Sequence, residues 1–376
     1  MKNCIVINYT GRTGGGPLDA FEMARALVDR GERVIPILAK GVENLALWKS
    51  VAFEKLVLID TYHDRLSLVG RVLSFPFTTA KTITTALREY KIKWIYCPMA
   101  TMLTSHINHL FPGVPVAVVD HDPTPHSGAA RFNPMRLLNS FDAYRSAEVI
   151  IVHSKRFVTQ VQQLYPGKRV EYIPLSRHNM YKNLPAAAPI VSYAPDKINF
   201  LFFGVIAQYK GLDVLAKAYR ALWERYPGRI SLTVIGKGDF SPYAAAYEGF
   251  SNFTLINRWI KDEEVSGIYV GENLVTVCPY KDSTQSGVVL VSYEYGAPVI
   301  ATDSGGMAEQ MEDGKTGRLI PPNDADTLCQ AMAQYLEDPG LIRVQQGHIK
   351  VFLAELEWDK SAEKLVSFLE EESVSQ

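Results

Sequence analysis

Two polar loops in the carboxy-terminal third of the chain carry the residue types that hold phosphate. The first, residues 282–287 (DSTQSG), follows an apolar run ending at Cys278 and Pro279 and precedes residues apolar enough to pack a helix on a sheet. The first amides of a helix have no internal partner and the helix dipole is positive there. Ser286 and Gly287 are therefore expected to offer N–H donors to a diphosphate. The second loop, residues 303–306 (DSGG), ends the apolar run 298–302 and sets Gly305 and Gly306 beside the first. Nearer the amino terminus, loop 10–16 ends in Gly14, Gly15 and Gly16, where glycine permits close approach of backbone to a ligand. His121 follows another apolar run, in a stretch HDPTPHSG that also carries Asp122 and His126.

The elements that must position these residues alternate strand and helix throughout, the pattern of parallel sheets covered on both faces. Strands are predicted at 4–9, 34–38, 57–59, 94–97, 116–119, 149–152 and 170–173. The Pro- and Ala-rich stretch 184–195 (LPAAAPIVSYAP) has little periodicity and reads as a linker. Alternation then restarts with strands at 198–203, 232–235, 253–256, 275–278 and 299–302, a strong helix at 325–336 and a last helix from Trp358. Two doubly wound domains are predicted, residues 1–183 and 196–357, with helix 358–372 packing back on the first. In such an α/β arrangement ligands sit at the carboxyl ends of the strands, here in a cleft between the halves.

Composition limits the alternatives. The 376 residues are 47% hydrophobic, ample for two cored domains, and the formal net charge of −1 argues against nucleic acid as partner. Four scattered cysteines, Cys4, Cys97, Cys278 and Cys329, show no metal-like pairing and read as reduced thiols of a cytoplasmic protein. The start, MKNCIVINYTG, suits a buried first strand better than a signal sequence, and no stretch reaches the length of a membrane span.

Five blocks carry a family resemblance: the glycine triplet 14–16, VDHD at 119–122, FFGVIAQYKGLDVL at 202–215, IGKGD at 235–239 and GAPVIATDSGGMAEQMEDGKTG at 296–317. In their order and spacing they resemble the retaining glycosyltransferases of family four, which have the GT-B architecture: two Rossmann-like domains facing a central cleft. The resemblance implies transfer of a sugar from a nucleotide diphosphate to an acceptor hydroxyl with its anomeric configuration kept. It implies no cofactor and no metal at the catalytic centre. Charge developing on the leaving diphosphate must then be met by cations, amides and helix starts. By this resemblance Lys210, with Gly211 the KG of the diphosphate block, is the cation, and Gly204, Gly305 and Gly306 line the donor. Gly15 and Gly16 face the same diphosphate, and His121 lies near the transferred sugar, with Asp122 and His126 on the acceptor side. No general base is named, since attack assisted by the leaving phosphate is the expected route.

The chain departs from the family pattern in three places. Asp282 stands near the first of two expected glutamates and Val291 at the second, which normally binds ribose hydroxyls; Glu294, one turn on, is either its substitute or a helix-surface residue. Val205 stands where an arginine is common, which shifts diphosphate charge onto Lys210, with Arg258 or Lys281 as reserves. Glu309 stays in place after the second loop. The expected acceptor is a glycan or polyprenyl-diphosphate-linked glycan of bacterial surface polysaccharide. Arg65, Arg71, Lys81 and Arg88, interleaved with apolar residues and extended by Arg131, Phe132, Met135 and Arg136, offer either a face for an anionic membrane or an ordinary amphipathic cover for the sheet. The alternatives are a GT-B epimerase or phosphorylase and a non-catalytic scaffold in a polysaccharide assembly complex.

Overall fold

In the computed structural model residues 1–62, 67, 70, 74–123 and 143–374 are described, and they form two parallel α/β sheets. The first has seven strands in the order β3-β2-β1-β4-β5-β6-β7. These are β1 Lys2–Tyr9, β2 Val34–Ala39, β3 Val57–Ile59, β4 Tyr90–Cys97, β5 Val116–Asp120, β6 Val149–Val152 and β7 Arg169–Tyr172. Every paired neighbour is parallel, so crossover helices cover both faces and the central strands read as continuous apolar runs. Residues of β2, β5 and β6 are buried along their whole length. The order reverses between β1 and β4, and there the loop at 10–15 opens into the helix Gly16–Asp29.

The second sheet has six strands in the order β10-β9-β8-β11-β12-β13 and reverses between β8 and β11. Its members are β8 Ile198–Phe203, β9 Ile230–Ile235, β10 Phe253–Ile256, β11 Leu274–Cys278, β12 Val299–Thr302 and β13 Gly317–Ile320. Phe200, Phe202, Val234, Val277 and Ile300 pack beneath the helices Leu212–Arg225 and Ala325–Glu337 to form its core. The edge strand β13 was absent from the sequence reading. It is short and begins with glycine, and backbone pairing with β12 rather than an apolar run of its own creates it.

The chain divides into two compact units, one of Met1–Pro123, Ala130–Pro174 and Trp358–Gln376, the other containing Leu175–Glu357. Stretch 184–195, read as a linker, lies within the second unit, where the Ala187 amide donates to Ser266 Oγ at 2.8 Å and Ile190 to the Gly267 carbonyl at 3.1 Å. The last helix, Trp358–Val374, belongs to the first unit, where Asp359 meets Arg30 at 2.7 Å and Glu371 meets Arg169 at 2.7 Å. Within the basic segment read as a possible membrane face, the helix Thr79–Leu87 turns Ala80, Ile83 and Leu87 into the core and leaves Lys81 and Arg88 exposed. Arg65, Arg71, Arg131, Phe132, Met135 and Arg136 lie outside the described residues, and no helix among those described is long and apolar enough to cross a membrane. Cys4, Cys97 and Cys278 are buried free thiols, and Cys329 is half-buried.

Candidate functional site

In the second unit the strand reversal between β8 and β11 gathers the predicted donor loops at the carboxyl ends of β8, β11 and β12. After β8, Gly204 takes a positive φ of 130° and the chain runs through a short turn, Gln208–Lys210, to Gly211 at φ 72°. A Cβ on Gly211 would overlap the carbonyl oxygen of Pro279, so only glycine lets this turn lie against the end of β11. Its neighbour Lys210 is thereby set over the ring of Tyr280, with Nζ 3.6 Å from the centroid and 5.0 Å from that of Tyr209. Tyr280 is completely buried and tied on both sides: its hydroxyl lies 3.3 Å from Ser286 Oγ and its carbonyl accepts from Thr302 Oγ1 at 2.6 Å. Beneath it burial pushes the Cys278 thiol up to about 11, although the Lys210 charge acts the other way.

Loops 282–287 and 303–306 do lie side by side. Ser283 donates its amide to Ser304 Oγ at 3.1 Å and its hydroxyl to the Ser304 carbonyl at 3.2 Å, and the Gly306 amide donates to the Thr284 carbonyl at 2.8 Å. Gly305, at φ 53°, sits so close that a Cβ would overlap the Ser283 carbonyl oxygen. The two loops therefore close on each other through backbone groups, and one of the two amides expected to serve a diphosphate is engaged. Ser286 N–H is already held by Gln310 Oε1 at 2.7 Å, while Gln310 Nε2 returns a bond to the Ser286 carbonyl at 3.2 Å. With Gly306 N–H also engaged, of the groups named from the sequence Gly287 remains at the first position of the helix Gly287–Glu294, facing His178. Burial lowers the His178 pKa to about 4 and keeps the ring neutral.

Glu294 is neither a ribose ligand nor a surface residue. It is fully buried, and both its oxygens accept from Arg177, Oε1 from Nε and Oε2 from Nη2, each at 2.7 Å. Arg177 also reaches Glu357 at 2.6 Å, and its amide donates to the Leu356 carbonyl. A fork-to-fork pair of this kind uses the carboxylate's strong acceptor sites, so Glu294 braces the helix against segments 175–178 and 355–357 and does not replace the missing glutamate. Val291 is a core residue of the same helix. The reserve cations are likewise matched with carboxylates, Arg258 with Glu264 at 2.7 Å and Lys281 with Asp213 at 2.7 Å. Val205 is 49% exposed. Glu309 lies in the turn Met307–Gln310 that follows the second loop.

In the first unit the glycine loop and His121 share a neighbour at the end of β4. Gly15 caps the helix Gly16–Asp29, which has proline in its first turn, and Gly16 packs against Met99 and the Tyr9 hydroxyl. His121 donates Nε2–H to the carbonyl of Pro98 at 2.7 Å, which leaves Nδ1 as an acceptor. Its ring meets that of His153 edge to face, centroids 4.8 Å apart, and His153 donates Nδ1–H to Ile173 at 2.8 Å. Burial lowers both pKa values, His153 to about 3 with the nearby His121 adding to the effect, so this is a pair of neutral rings. Asp122 beside them is exposed, and His126 lies outside the described residues. Asp19, one turn into the helix from the glycine loop and not singled out from the sequence, has its carboxyl pushed up to about 7 by burial and then by Glu22, a shift that only the folded surroundings create.

Residues 197–338 match the family Glycosyl transferases group 1. D-inositol 3-phosphate glycosyltransferase of Corynebacterium diphtheriae is 26% identical over 298 residues, covering 74% of this chain and 67% of that protein. Among solved structures, sucrose-phosphate synthase (tll1590) from Thermosynechococcus elongatus superposes with a TM-score of 0.73 at 17% identity over the whole of both chains. Anabaena Alr3699/HepE, crystallised with UDP and glucose, gives 0.70 at 14% identity over 99% of this chain and 100% of that one. The two parallel Rossmann-like sheets and the likeness to these solved structures give the chain the GT-B fold, and its segment 197–338, which carries the loops at the carboxyl ends of β8, β11 and β12, is similar to the glycosyl transferases group 1.

Proposed function

We propose that this chain transfers a sugar from a nucleotide diphosphate to a hydroxyl of a glycan or lipid-linked acceptor, with retention at the anomeric carbon and without a metal at the reacting centre. One observation carries the reading: Lys210 stands where the β8 and β11 loops meet, on a turn that Gly211 locks against Pro279, inside the segment that matches the family. In the reaction the bond from the anomeric carbon to the diphosphate oxygen breaks, a bond to the acceptor oxygen forms on the same face, and the acceptor proton passes to the leaving diphosphate. The departing group gains negative charge, and a fixed ammonium with the start of the helix Gly287–Glu294 stabilises it more than it stabilises the ground state. Gly15 and Gly16 bring backbone to the donor, His121 contributes a neutral ring or its carbonyl near the sugar, and Asp122 and His126 serve the acceptor. The structural neighbour crystallised with UDP makes UDP the first nucleotide to try. Synthesis of bacterial surface polysaccharide at the inner face of the plasma membrane is the setting we favour.

A second reading, a non-catalytic scaffold, draws on Val205, Val291 and the internally engaged Glu294, which remove charged groups that the family pattern provides. Calorimetry against UDP, GDP, ADP and TDP, with magnesium and with EDTA, separates the two. The transferase reading expects one nucleotide to bind in both media and Lys210→Ala to weaken it at least tenfold, as loss of a charge-assisted contact should. Absence of binding to all four favours the scaffold. Dependence on magnesium overturns the metal-independent step, and an inverted anomeric signal in the product overturns retention.

A further inference from the structure

We infer that Tyr280 is the positioning residue of this site: its ring is the platform that holds the Lys210 ammonium in place for the leaving diphosphate. The inference rests on the donor-site reading of Lys210 given above. The Lys210 Nζ stands 3.6 Å from the centroid of the Tyr280 ring, close enough for the electron-rich face to attract the cation. A lysine has four rotatable bonds, and fixing its head group has an entropic cost that an aromatic face offsets.

Tyr280 is itself immobile for identifiable reasons. It is fully buried, its carbonyl is held by Thr302 at the end of β12, and its hydroxyl faces Ser286 at the start of the helix Gly287–Glu294. Tyr209 meets the same ring edge on, centroids 6.4 Å apart, and the Tyr209 carbonyl accepts from the Lys281 amide at 2.7 Å. One residue, through its ring, hydroxyl and carbonyl, thus links the β8 turn bearing the cation, the end of β11, the end of β12 and the donor helix. A shift in any of these elements is felt at Lys210 through the ring.

The test is a series at position 280 read by UDP calorimetry and by donor KM and kcat. Tyr280→Phe keeps the ring and is expected to bind UDP within about threefold of wild type, whereas Tyr280→Leu is expected to lose about tenfold. In a Lys210→Ala background Tyr280→Leu should cause no further loss, because the ring acts through the lysine. Fluorinated phenylalanines at position 280 keep the shape while weakening the face of the ring, and affinity should decline stepwise with fluorination, even if the leucine variant does not fold. A flat fluorination series, or an equal loss from Tyr280→Leu in both backgrounds, overturns the role of Tyr280 while Lys210→Ala remains defective. If Lys210→Ala itself binds UDP as tightly as wild type, the reading of the donor site falls instead.

Discussion

The two strand reversals in this protein are built from similar residues and closed by different means. Between β1 and β4 the glycine loop closes on side chains: Gly11 and Gly16 abut the Tyr9 hydroxyl, Gly16 also meets Met99, and Thr10 bonds Thr101 through their hydroxyls. Between β8 and β11, and across to β12, closure is backbone on backbone, with Gly211 against the Pro279 carbonyl and Gly305 against that of Ser283. Side-chain ends can rotate out of the way, whereas a carbonyl moves only with its strand. The second region also contains a buried ion pair that braces the helix carrying Gly287. A turn packed against backbone carbonyls is thus held by the sheet itself, whereas a loop packed against side-chain ends has softer neighbours.

Breaking the brace should have the largest effect. Arg177→Met leaves the fully buried Glu294 carboxylate without its bidentate partner and is expected to cost about 3–5 kcal/mol in urea unfolding. The double change Arg177→Met with Glu294→Leu should cost less than Arg177→Met alone, since the buried carboxylate goes with its partner and the Glu357 that also loses a contact is partly exposed. Gly305→Ala comes next at roughly 2–4 kcal/mol, from a positive φ combined with overlap on the Ser283 carbonyl. Gly16→Ala in the first unit tests the contrast directly. Its neighbours are a tyrosine hydroxyl and a methionine end, so a cost near ~1 kcal/mol is expected, and equality with Gly305→Ala would dissolve the distinction.

Acid sharpens the comparison further. His153 in the first unit and His178 in the second have folded pKa values of about 3 and about 4, below the unfolded value near ~6.5. Between these limits the unfolded chain binds more protons, so stability is complete above pH ~6.5 and falls with acid by up to about 1.4 kcal/mol per pH unit for each ring. Asp19 has the opposite sign: with its pKa raised to about 7, the folded state is the one that binds a proton as pH falls below neutrality. Asp19→Asn should therefore steepen the loss of stability between pH 7 and 5, measured by urea midpoints. The same or a shallower slope would show that the Asp19 carboxyl is ionised at neutral pH. The smallest change expected is from Tyr280→Phe, whose stability should stay within about 1 kcal/mol of wild type because the ring stays and only hydroxyl contacts, with Ser286 and the Cys278 thiol, are removed.

Much of the fold was legible because parallel strands buried on both faces must be apolar along their whole length. VIIV at β6 and LVTVC at β11 allow little else, and the paired glycine loops mark where the chain turns at the ends of such strands. Strand β13, GRLI, was not legible, because its pairing partner creates it. Turns set by local backbone were legible in the sequence, whereas polar groups engaged by a distant partner were not. Glu294 was weighed as a ligand or a surface residue, while its actual partner Arg177 lies 117 positions away in the chain. Ser286 was assigned a free helix-start amide, which Gln310 occupies from 24 positions on.

By itself the sequence determined the parts that obey short-range rules: the alternation of strands and helices, the two parallel sheets, the glycines at positions of positive φ, and the five blocks that resemble one family. Only the tertiary structure decided which polar groups are engaged inside the protein and which cation stands on an aromatic face. Hydrogen bonds and ion pairs reach only a few ångströms, and the groups that satisfy Glu294, Ser286 and Lys210 come within reach only once the sheet has brought distant segments together.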